Sequence, residues 1–334
     1  MIDSQLIQWG IIGPGRIASQ VIKDFPYVPG AQALAVASRS LARAQAFASE
    51  HGLARAYGSY QEIMNDPDVD AVYISTPHPQ HHAIALAAIA AGKAVLVEKT
   101  FTATVAGAEQ IIAAAHRHKV FAMEAMWTRF QPAIVLARAL IDDGAIGEVR
   151  QVQADLGVDR PYDPADRLFD PAQGGGGMLD LGVYVVSFAQ YFLGAPDRLA
   201  VNGSLTPTGV DAEAGLLLGY DDGRVATLLI SLNHRTPGAA RIHGTSGWID
   251  VPPRFHHPHR IVLQRSGHEP ETIVRPPLGT GYSHELIEVT EGLRAGRTES
   301  AIMPLSDTLA VQRILNEACE KLGVFHTEDS YVAV

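Results

Sequence analysis

Short apolar runs alternate with amphipathic stretches along the first 125 residues of the chain. The apolar runs predict strands at Gln8–Ile12, Ala33–Ala37, Ala71–Ser75, Ala94–Val97 and Val120–Met123. Helical patterns lie between them, at Ile17–Asp24, Leu41–His51, Tyr60–Asn65, Pro79–Ala91 and Val105–His118. Strands that alternate with helices form βαβ units, and nearly continuous apolar strands fit burial on both faces of a sheet. We therefore predict an α/β domain with a doubly wound parallel sheet over residues 1–125.

The pattern changes after a further predicted helix, Ala133–Asp143, which Gly144 closes. Apart from an apolar helix at Gly177–Phe192, residues 147–276 are mostly strand-like. The predicted strands are Glu148–Gly157, Gly215–Tyr220, Arg224–Leu232, Arg241–Gly244, Trp248–Val251 and Ile261–Gln264. An Asp221-Asp222-Gly223 turn joins two of them as a hairpin. With closing helices at Ser283–Ala295 and Ser306–Leu322, residues 126–334 are predicted to form an α+β domain with an open, mainly antiparallel sheet.

The composition supports two globular domains and limits the partners. A chain of 334 residues with 47% apolar residues exceeds what one core usually holds. The net charge of −10 disfavours nucleic acid and anionic membranes, since both need a basic face. The single cysteine, Cys319, excludes an internal disulfide, and we find no basic leader and no uncharged apolar segment of about 18 residues. We expect a cytoplasmic protein.

The first predicted strand ends in Gly13-Pro14-Gly15-Arg16-Ile17-Ala18, a GxGxxA form of the dinucleotide fingerprint. The first glycine makes the tight turn, the second lets the backbone reach a pyrophosphate, and the small third residue lets helix and strand pack. The six residues alone are a weak signal, but the strand before them and the helix after them are the context that the fingerprint requires. We predict a Rossmann domain in which Gly13, Gly15, Arg16 and Ile17 bind the cofactor.

The end of the second predicted strand indicates which dinucleotide is bound. The carboxylate typical of NAD sites is missing, and the chain continues Ser38-Arg39-Ser40-Leu41-Ala42-Arg43. NADP-binding sites typically use guanidinium groups that stack on the adenine and pair with the 2′-phosphate. Ser38 would donate a hydrogen bond. We therefore predict NADP as the cofactor. The alternative is a helix start with solvated arginines.

Two later strand ends should lie on the same side of the sheet, because open α/β sheets bind ligands at the carboxyl ends of their strands. Thr76, Pro77 and His81 follow one strand, and Glu98 and Lys99 follow the next. A lysine just past a buried strand and beside a carboxylate can stabilise a neighbouring anion, although it can also be an ordinary surface lysine.

Two histidine-rich stretches, residues 78–82 and 256–259, raise the possibility of metal binding. Adjacent histidines diverge on a helix, and no cysteine or carboxylate stands near the first stretch. The second stretch resembles a surface turn that would bind metal only adventitiously. We predict no metal site.

Four glycines, residues 174–177, run into an apolar helix that contains Asp180 and Tyr184. Residues four apart share a helix face, so the carboxylate and the phenol should point the same way. Such a pair could handle a proton, and the glycines could let a ligand or another backbone approach the helix. The alternative is a helix cap followed by a core tyrosine.

Taken together, these motifs resemble the Gfo/Idh/MocA oxidoreductases. Four segments of this chain resemble the motifs of that family in the same order, namely Gly13–Ala18, Thr76–His81, Glu98–Lys99 and Gly174–Tyr184. The stretches HPQHH at 78–82, MEAMWTRFQPA at 123–133, GGMLDLGVYVVSF at 176–188 and TGVDAEAGLLLGY at 208–220 resemble most the branch with dimeric dihydrodiol and NADP-dependent D-xylose dehydrogenases. One departure is Thr100, which stands where the family has proline after the lysine. If that loop has a cis peptide in the family, the threonine must adopt it or the loop must change.

The resemblance implies a dehydrogenase acting on a sugar C1 hydroxyl or a vicinal diol, with Lys99, Asp180 and Tyr184 as catalytic residues. Tyr184 would exchange the proton, Lys99 would stabilise its phenolate, and Asp180 would orient Lys99 or the substrate. Trp127 and Arg129 would face the nicotinamide, unless they serve domain packing. The open sheet would form a homodimer or a larger oligomer. Alternatives are another carbohydrate or polyol oxidoreductase, or a dinucleotide-binding sensor without turnover.

Overall fold

The computed structural model describes residues 6–329, which form two compact units. The first unit comprises residues 6–125, 278–308 and 327–329, and the second comprises 126–277 and 309–326. We had assigned residues 1–125 to the first domain and 126–334 to the second, whereas the first unit also takes in 278–308 and 327–329. Those segments, as far as they are described, belong to the first unit, where carboxylates hold them. Asp24 accepts hydrogen bonds from the backbone of Thr280 and Ser283, and Glu328 accepts one from Thr104.

The first unit contains a six-stranded sheet in the order β3-β2-β1-β4-β5-β6, and its described pairs are all parallel. Its strands are β1 (Ile7–Ile12), β2 (Ala31–Ala37), β3 (Arg55–Tyr57), β4 (Ala71–Ile74), β5 (Ala94–Glu98) and β6 (Ala122–Ala125). The predicted doubly wound parallel sheet is confirmed. Only β3 was missed, because three half-buried residues at a sheet edge leave no apolar run.

The helices of this unit are α1 (Arg16–Val21), α2 (Leu41–His51), α3 (Tyr60–Asn65), α4 (His78–Ala90), α5 (Val105–His118) and α8 (Ser283–Arg294). The hydroxyls of Ser40, Ser59 and Thr104 cap three of them by accepting backbone N–H groups of the first turn. The bounds of α2, α3 and α5 are those that the periodicity predicts.

The second unit contains an eight-stranded sheet in the order β14-β13-β12-β11-β7-β10-β9-β8. Its strands are β7 (Val149–Gly157), β8 (Arg198–Leu205), β9 (Asp211–Gly219), β10 (Val225–Ser231), β11 (Ala240–Gly244), β12 (Gly247–Val251), β13 (Arg260–Arg265) and β14 (Glu271–Val274). The pair β7–β10 is parallel and the other described pairs are antiparallel, which confirms a mainly antiparallel sheet. The hairpin at Asp221–Gly223 joins β9 to β10, as predicted.

The remaining helices are α6 (Pro132–Asp142), α7 (Val183–Leu193) and α9 (Leu305–Leu322). Residues of β9 and β10 alternate between buried and exposed positions, and α7 packs on the buried face. By length and composition the helical stretch Pro171–Leu193 could cross a membrane, but 83% of its apolar window is buried, as in a core helix.

Candidate functional site

The turn after β1 has the backbone geometry that a dinucleotide needs. Gly13 has φ of 92°, and a Cβ there would lie 3.2 Å from the carbonyl of Ser75. A Cβ on Gly15, by contrast, would meet nothing within 4 Å, so the backbone is open to a ligand on that side. Ala18 is fully buried at the position that requires a small residue. The turn therefore fits a pyrophosphate, with Arg16 exposed and Ile17 half-buried beside it.

The end of β2 presents a polar and cationic surface. Ser38 is buried, and its hydroxyl accepts a hydrogen bond from the backbone of Ser40 at 3.3 Å. Arg39 and Arg43 are exposed. Burial raises the pKa of Tyr60, and the positive charges of both guanidinium groups act against this rise. Two cations thus stand close together where an NAD site would have a carboxylate.

His81 ties the loop after β4 to the loop after β5. It is fully buried, with Nε2 2.7 Å from the carbonyl oxygen of Thr76 and Nδ1 2.9 Å from that of Thr100. The ring of His82 lies instead beside Gln110, with Nε2 and Oε1 2.7 Å apart. The two imidazoles therefore diverge, as expected for adjacent helical residues, and His81 positions loops.

Glu98 is a buried anchor for the residue that follows it. The hydroxyl of Tyr73 donates to its Oε1 at 2.5 Å, and the backbone N–H of Lys99 donates to its Oε2 at 3.2 Å. Glu285 of α8 lies nearby, fully buried, and burial together with the charge of Glu98 raises its pKa well above the usual range. The peptide between Lys99 and Thr100 is cis, so the threonine adopts the geometry that we considered for it.

In the second unit, the glycine run packs against the protein itself. A Cβ on Gly175 would lie 2.8 Å from carbonyl oxygens of residues 167, 168 and 170, and a Cβ on Gly176 would collide with Oδ1 of Asp211. Gly176 also has φ of 114°. We considered two reasons for the glycines, the approach of a ligand and the approach of another part of the chain. The structure shows the second.

The predicted helix begins with a π-helical turn, Met178–Gly182, which leads into α7. Asp180 lies in this turn and Tyr184 in the first turn of α7. A guanidinium nitrogen of Arg167 donates to Oδ1 of Asp180 at 3.0 Å. We had not predicted Arg167. The positive charge of Arg167 offsets the negative charge of Asp180. It therefore weakens the electrostatic repulsion that an isolated carboxylate would exert on a phenolate at Tyr184.

Tyr184 stands at the edge of a group of aromatic and imidazole rings. Its ring centroid lies 5.2 Å from that of His256, which meets Trp127 edge-on at 6.0 Å. His257 stacks on Trp127 at 4.7 Å with an interplanar angle of 23°. We call Trp127, Tyr184, His256 and His257 the ring cluster. The interpretation of residues 256–259 as a surface turn missed this placement, since a coil segment has no periodicity to show which side packs inward.

Arg129 is 1% exposed and is bound to α7. Its Nε donates to the Ser187 hydroxyl at 3.1 Å, a terminal nitrogen donates to the Gln190 side chain, and the guanidinium lies 4.8 Å from the ring centroid of Tyr191. These contacts fix Arg129 against α7 within the second unit.

Comparisons with known proteins agree with this arrangement. Residues 7–126 match the Gfo/Idh/MocA family model described as an oxidoreductase family with an NAD-binding Rossmann fold, and residues 134–250 match the model of the GFO/IDH/MocA C-terminal domain. The chain is 36% identical to the trans-1,2-dihydrobenzene-1,2-diol dehydrogenase of Mus musculus over 97% of this chain and 99% of that protein.

Two solved structures are also similar. One is an aldose-aldose oxidoreductase from Caulobacter crescentus complexed with glycerol, with a TM-score of 0.85 and 26% identity, covering 95% of this chain and 98% of that one. The other is a 3-ketoreductase from Actinomadura kijaniata in complex with NADP and TDP-benzene, with a TM-score of 0.81 and 26% identity, covering 96% and 98%.

Proposed function

The chain belongs to the Gfo/Idh/MocA oxidoreductase family, and we propose that it is an NADP-dependent dehydrogenase of a vicinal diol or a sugar C1 hydroxyl. The observation that supports this most is the ring cluster around Tyr184, with Asp180 held by Arg167 one turn away. A solitary core tyrosine would need neither a guanidinium partner for its neighbouring carboxylate nor polar rings beside it.

In the proposed reaction, Tyr184 is the general base for oxidation and the general acid for reduction. A free phenol has a pKa near 10 and is a poor base at neutral pH, so the phenolate must be stabilised. Lys99 is the proposed source of this positive charge, because it matches the lysine of the family motif. Asp180, with its own charge offset by Arg167, orients Lys99 or a substrate hydroxyl.

The nicotinamide cofactor supplies the hydride chemistry, and the first unit has the residues to hold it. Gly13 and Gly15 would receive the pyrophosphate, and the exposed Arg39 and Arg43 would pair with the 2′-phosphate of NADP. Thr76 and Pro77 follow β4, and Glu98 is the last residue of β5, at the carboxyl ends of strands where such ligands bind.

The ring cluster supports a flat or ring-shaped substrate. An indole can pack against an unsaturated diol ring or the apolar face of a pyranose, so Trp127 does not separate these two classes. His256, which we place beside the substrate hydroxyls, could exchange hydrogen bonds with either. The similarity to dihydrobenzenediol dehydrogenases over nearly the full chain favours the diol.

A second candidate is another sugar oxidoreductase of the same family, for which the similarity to the aldose-aldose oxidoreductase speaks. A dinucleotide-binding sensor is less favoured, because a sensor has no need of Lys99, Asp180 and Tyr184 together.

The decisive experiment incubates the purified protein with NADP⁺ or NAD⁺ and a broad panel of cyclic vicinal diols, aldoses and polyols. We expect formation of reduced nicotinamide with at least one diol or aldose, and faster with NADP⁺. Tight cofactor binding without turnover on the whole panel would reject the enzyme and support the sensor. Turnover with polyols alone would support the second candidate.

A further inference from the structure

Three side chains of the kinds that bind transition metals meet in the interior of the second unit. They are Asp211 at the start of β9, Cys319 in α9 and His326 just after α9. One carboxylate oxygen, the sulfur and one ring nitrogen all lie within 4.8 Å of one another. Asp211 is 0% exposed and Cys319 is 1% exposed. The fold thus brings a buried oxygen, nitrogen and sulfur donor set together from three separate segments.

The polar atoms of this cluster lack the partners that buried polar atoms normally have. Oδ1 of Asp211 and both ring nitrogens of His326 are buried, and none has a hydrogen bond within the described part of the chain. Buried polar atoms in native proteins are almost always paired with protein, water or an ion. At this cluster a carboxylate oxygen and an imidazole ring thus both lack partners, which indicates an occupant.

We propose that Asp211, Cys319 and His326 bind a single Zn²⁺ ion through Oδ1, Sγ and one ring nitrogen. Zinc accepts this mixed donor set in tetrahedral geometry, whereas Mg²⁺ and Ca²⁺ prefer oxygen ligands alone. A water molecule would complete the fourth position. On binding, Cys319 releases its thiol proton to solvent, and the ion neutralises one carboxylate and one thiolate.

The position of the site gives it a consequence for the neighbouring helix. The second carboxylate oxygen of Asp211, Oδ2, accepts the backbone N–H of Met178 at 2.5 Å, at the start of the π-helical turn. Gly176 packs directly on the same carboxylate. A metal on Oδ1 would therefore fix the segment that leads to Asp180 and Tyr184. Its role is structural, and it does not depend on the proposed function.

The chain offers an unusually direct test, because Cys319 is its single cysteine. Chelator-treated, metal-free protein is titrated with Co²⁺ and followed by absorption spectroscopy. We expect a thiolate-to-cobalt charge-transfer band that saturates at about one equivalent. Such a band must come from Cys319, so the histidine-rich segments 78–82 and 256–259 cannot produce it. Absence of the band in wild-type protein would overturn the proposal, and so would a spectrum of oxygen and nitrogen ligands alone.

Variants then test the other ligands by Zn²⁺ affinity and by the zinc-induced rise in Tm. His326→Gln and Cys319→Ser should each weaken Zn²⁺ binding by at least ~10-fold and abolish most of the rise in Tm. The matched control is His268→Gln, since His268 is exposed. Circular dichroism establishes that the variants are folded. Equal zinc affinity in His326→Gln and His268→Gln would show that His326 is not a ligand and that the cluster holds water.

Discussion

The hydroxyl of Tyr184 is the atom on which the proposed chemistry depends. A tyrosine in a wholly apolar interior has a raised pKa and stays protonated, which makes it a poor base. The surroundings of Tyr184 are different, because a His256 ring lies beside it and the nearby Asp180 is paired with Arg167. The sequence predicts the tyrosine and the carboxylate from their spacing, but it does not reveal Arg167 or His256, since both lie outside the helix.

Replacing Tyr184 with phenylalanine should remove the proton-transfer group and keep the ring. We expect Tyr184→Phe to lower kcat by about two to four orders of magnitude, with NADP⁺ affinity nearly unchanged. Steady-state kinetics and cofactor titration measure the two effects. Tyr191→Phe, on the same helix, is the matched control and should retain activity, because its ring remains beside Arg129. Turnover within a few-fold of wild type in Tyr184→Phe would remove Tyr184 as the acid and base.

Arg39→Ala tests the choice between NADP and NAD. A charge-assisted bond to the 2′-phosphate exists only with NADP, so we expect NADP⁺ affinity to fall by ~10-fold or more and NAD⁺ affinity to change little. Calorimetric titration of both cofactors measures the difference, and Arg117→Ala at the end of α5 is an exposed control. Equal losses for the two cofactors would mean that the 2′-phosphate binds elsewhere.

His257 predicts a pH dependence of stability. Burial, with the charge of Arg254, lowers its pKa from 6.5 to about 4. The unfolded chain therefore takes up a proton below pH 6.5 that the folded protein does not accept until about pH 4. Its contribution to stability is present above pH 6.5 and is lost as the pH falls through this window.

Urea denaturation at about pH 7 and about pH 4.5 measures this loss. Other groups titrate in the same range, so the comparison is with His257→Gln, which should lose less free energy of unfolding between the two pH values than wild type. His268→Gln, at an exposed position, should lose as much as wild type. An identical loss in all three proteins would contradict the assignment.

Among the secondary-structure elements, burial separates those that the sequence predicts from those that it does not. Strands β1, β4 and β5 are almost wholly buried, and their apolar runs identify them. Strands β8 and β14 lie at the edges of the second sheet, and most of their residues are exposed. An edge strand needs no continuous apolar face, because it pairs on one side only. Periodicity therefore misses such strands.

The attachment of α8 to the first unit gives a prediction at this scale. Asp24 is 1% exposed, and its carboxylate accepts the backbone N–H groups of Thr280 at 2.9 Å and Ser283 at 3.0 Å. Asp24→Ala leaves these donors without their acceptor, so we expect it to lower the free energy of unfolding by about 2 kcal/mol or more.

Urea denaturation checks this value, with Asp142→Ala as the control. Among the described residues, the side chain of Asp142 forms an exposed i,i+4 pair with Arg138 alone, worth about a few tenths of a kcal/mol. If Asp24→Ala were no more destabilising than Asp142→Ala, the carboxylate would not hold the segment. Proteolysis that releases residues 278–308 faster in Asp24→Ala would locate the effect.

For the molecule as a whole, the sequence predicts two units with different sheets but does not predict how the chain is shared between them. Residues 278–308 and 327–329 return to the first unit through contacts such as those of Asp24 and Glu328. These contacts join residues more than 200 positions apart. Local patterns of apolar and polar residues contain no information on such distances. The cluster of Asp211, Cys319 and His326 could not be predicted for the same reason, because its members come from distant parts of the sequence and share no motif.

The exposed face of the second unit's sheet leads to a prediction of assembly. Leu217 and Leu229 are 48% and 56% exposed, and they stand in a shallow trough of about 900 Å³ that β7, β9, β10 and β11 line. Large apolar side chains that are exposed together on one face of a sheet are typical of an interface. We expect a second copy of this chain to cover it, because a flat sheet face can pack on its own copy about a two-fold axis.

Sedimentation at micromolar concentration should therefore show a homodimer or a larger homo-oligomer. Leu229→Glu places a carboxylate in the centre of the face and should shift the protein to monomer while leaving its secondary structure intact, since the side chain is solvent-accessible in a single chain. Leu278→Glu is the control, with a leucine that is 51% exposed in the first unit. A wild-type protein that sediments as a monomer would refute the assembly. A Leu229→Glu variant that remains oligomeric would place the interface on another surface, because a buried and unpaired carboxylate could not be tolerated at this one.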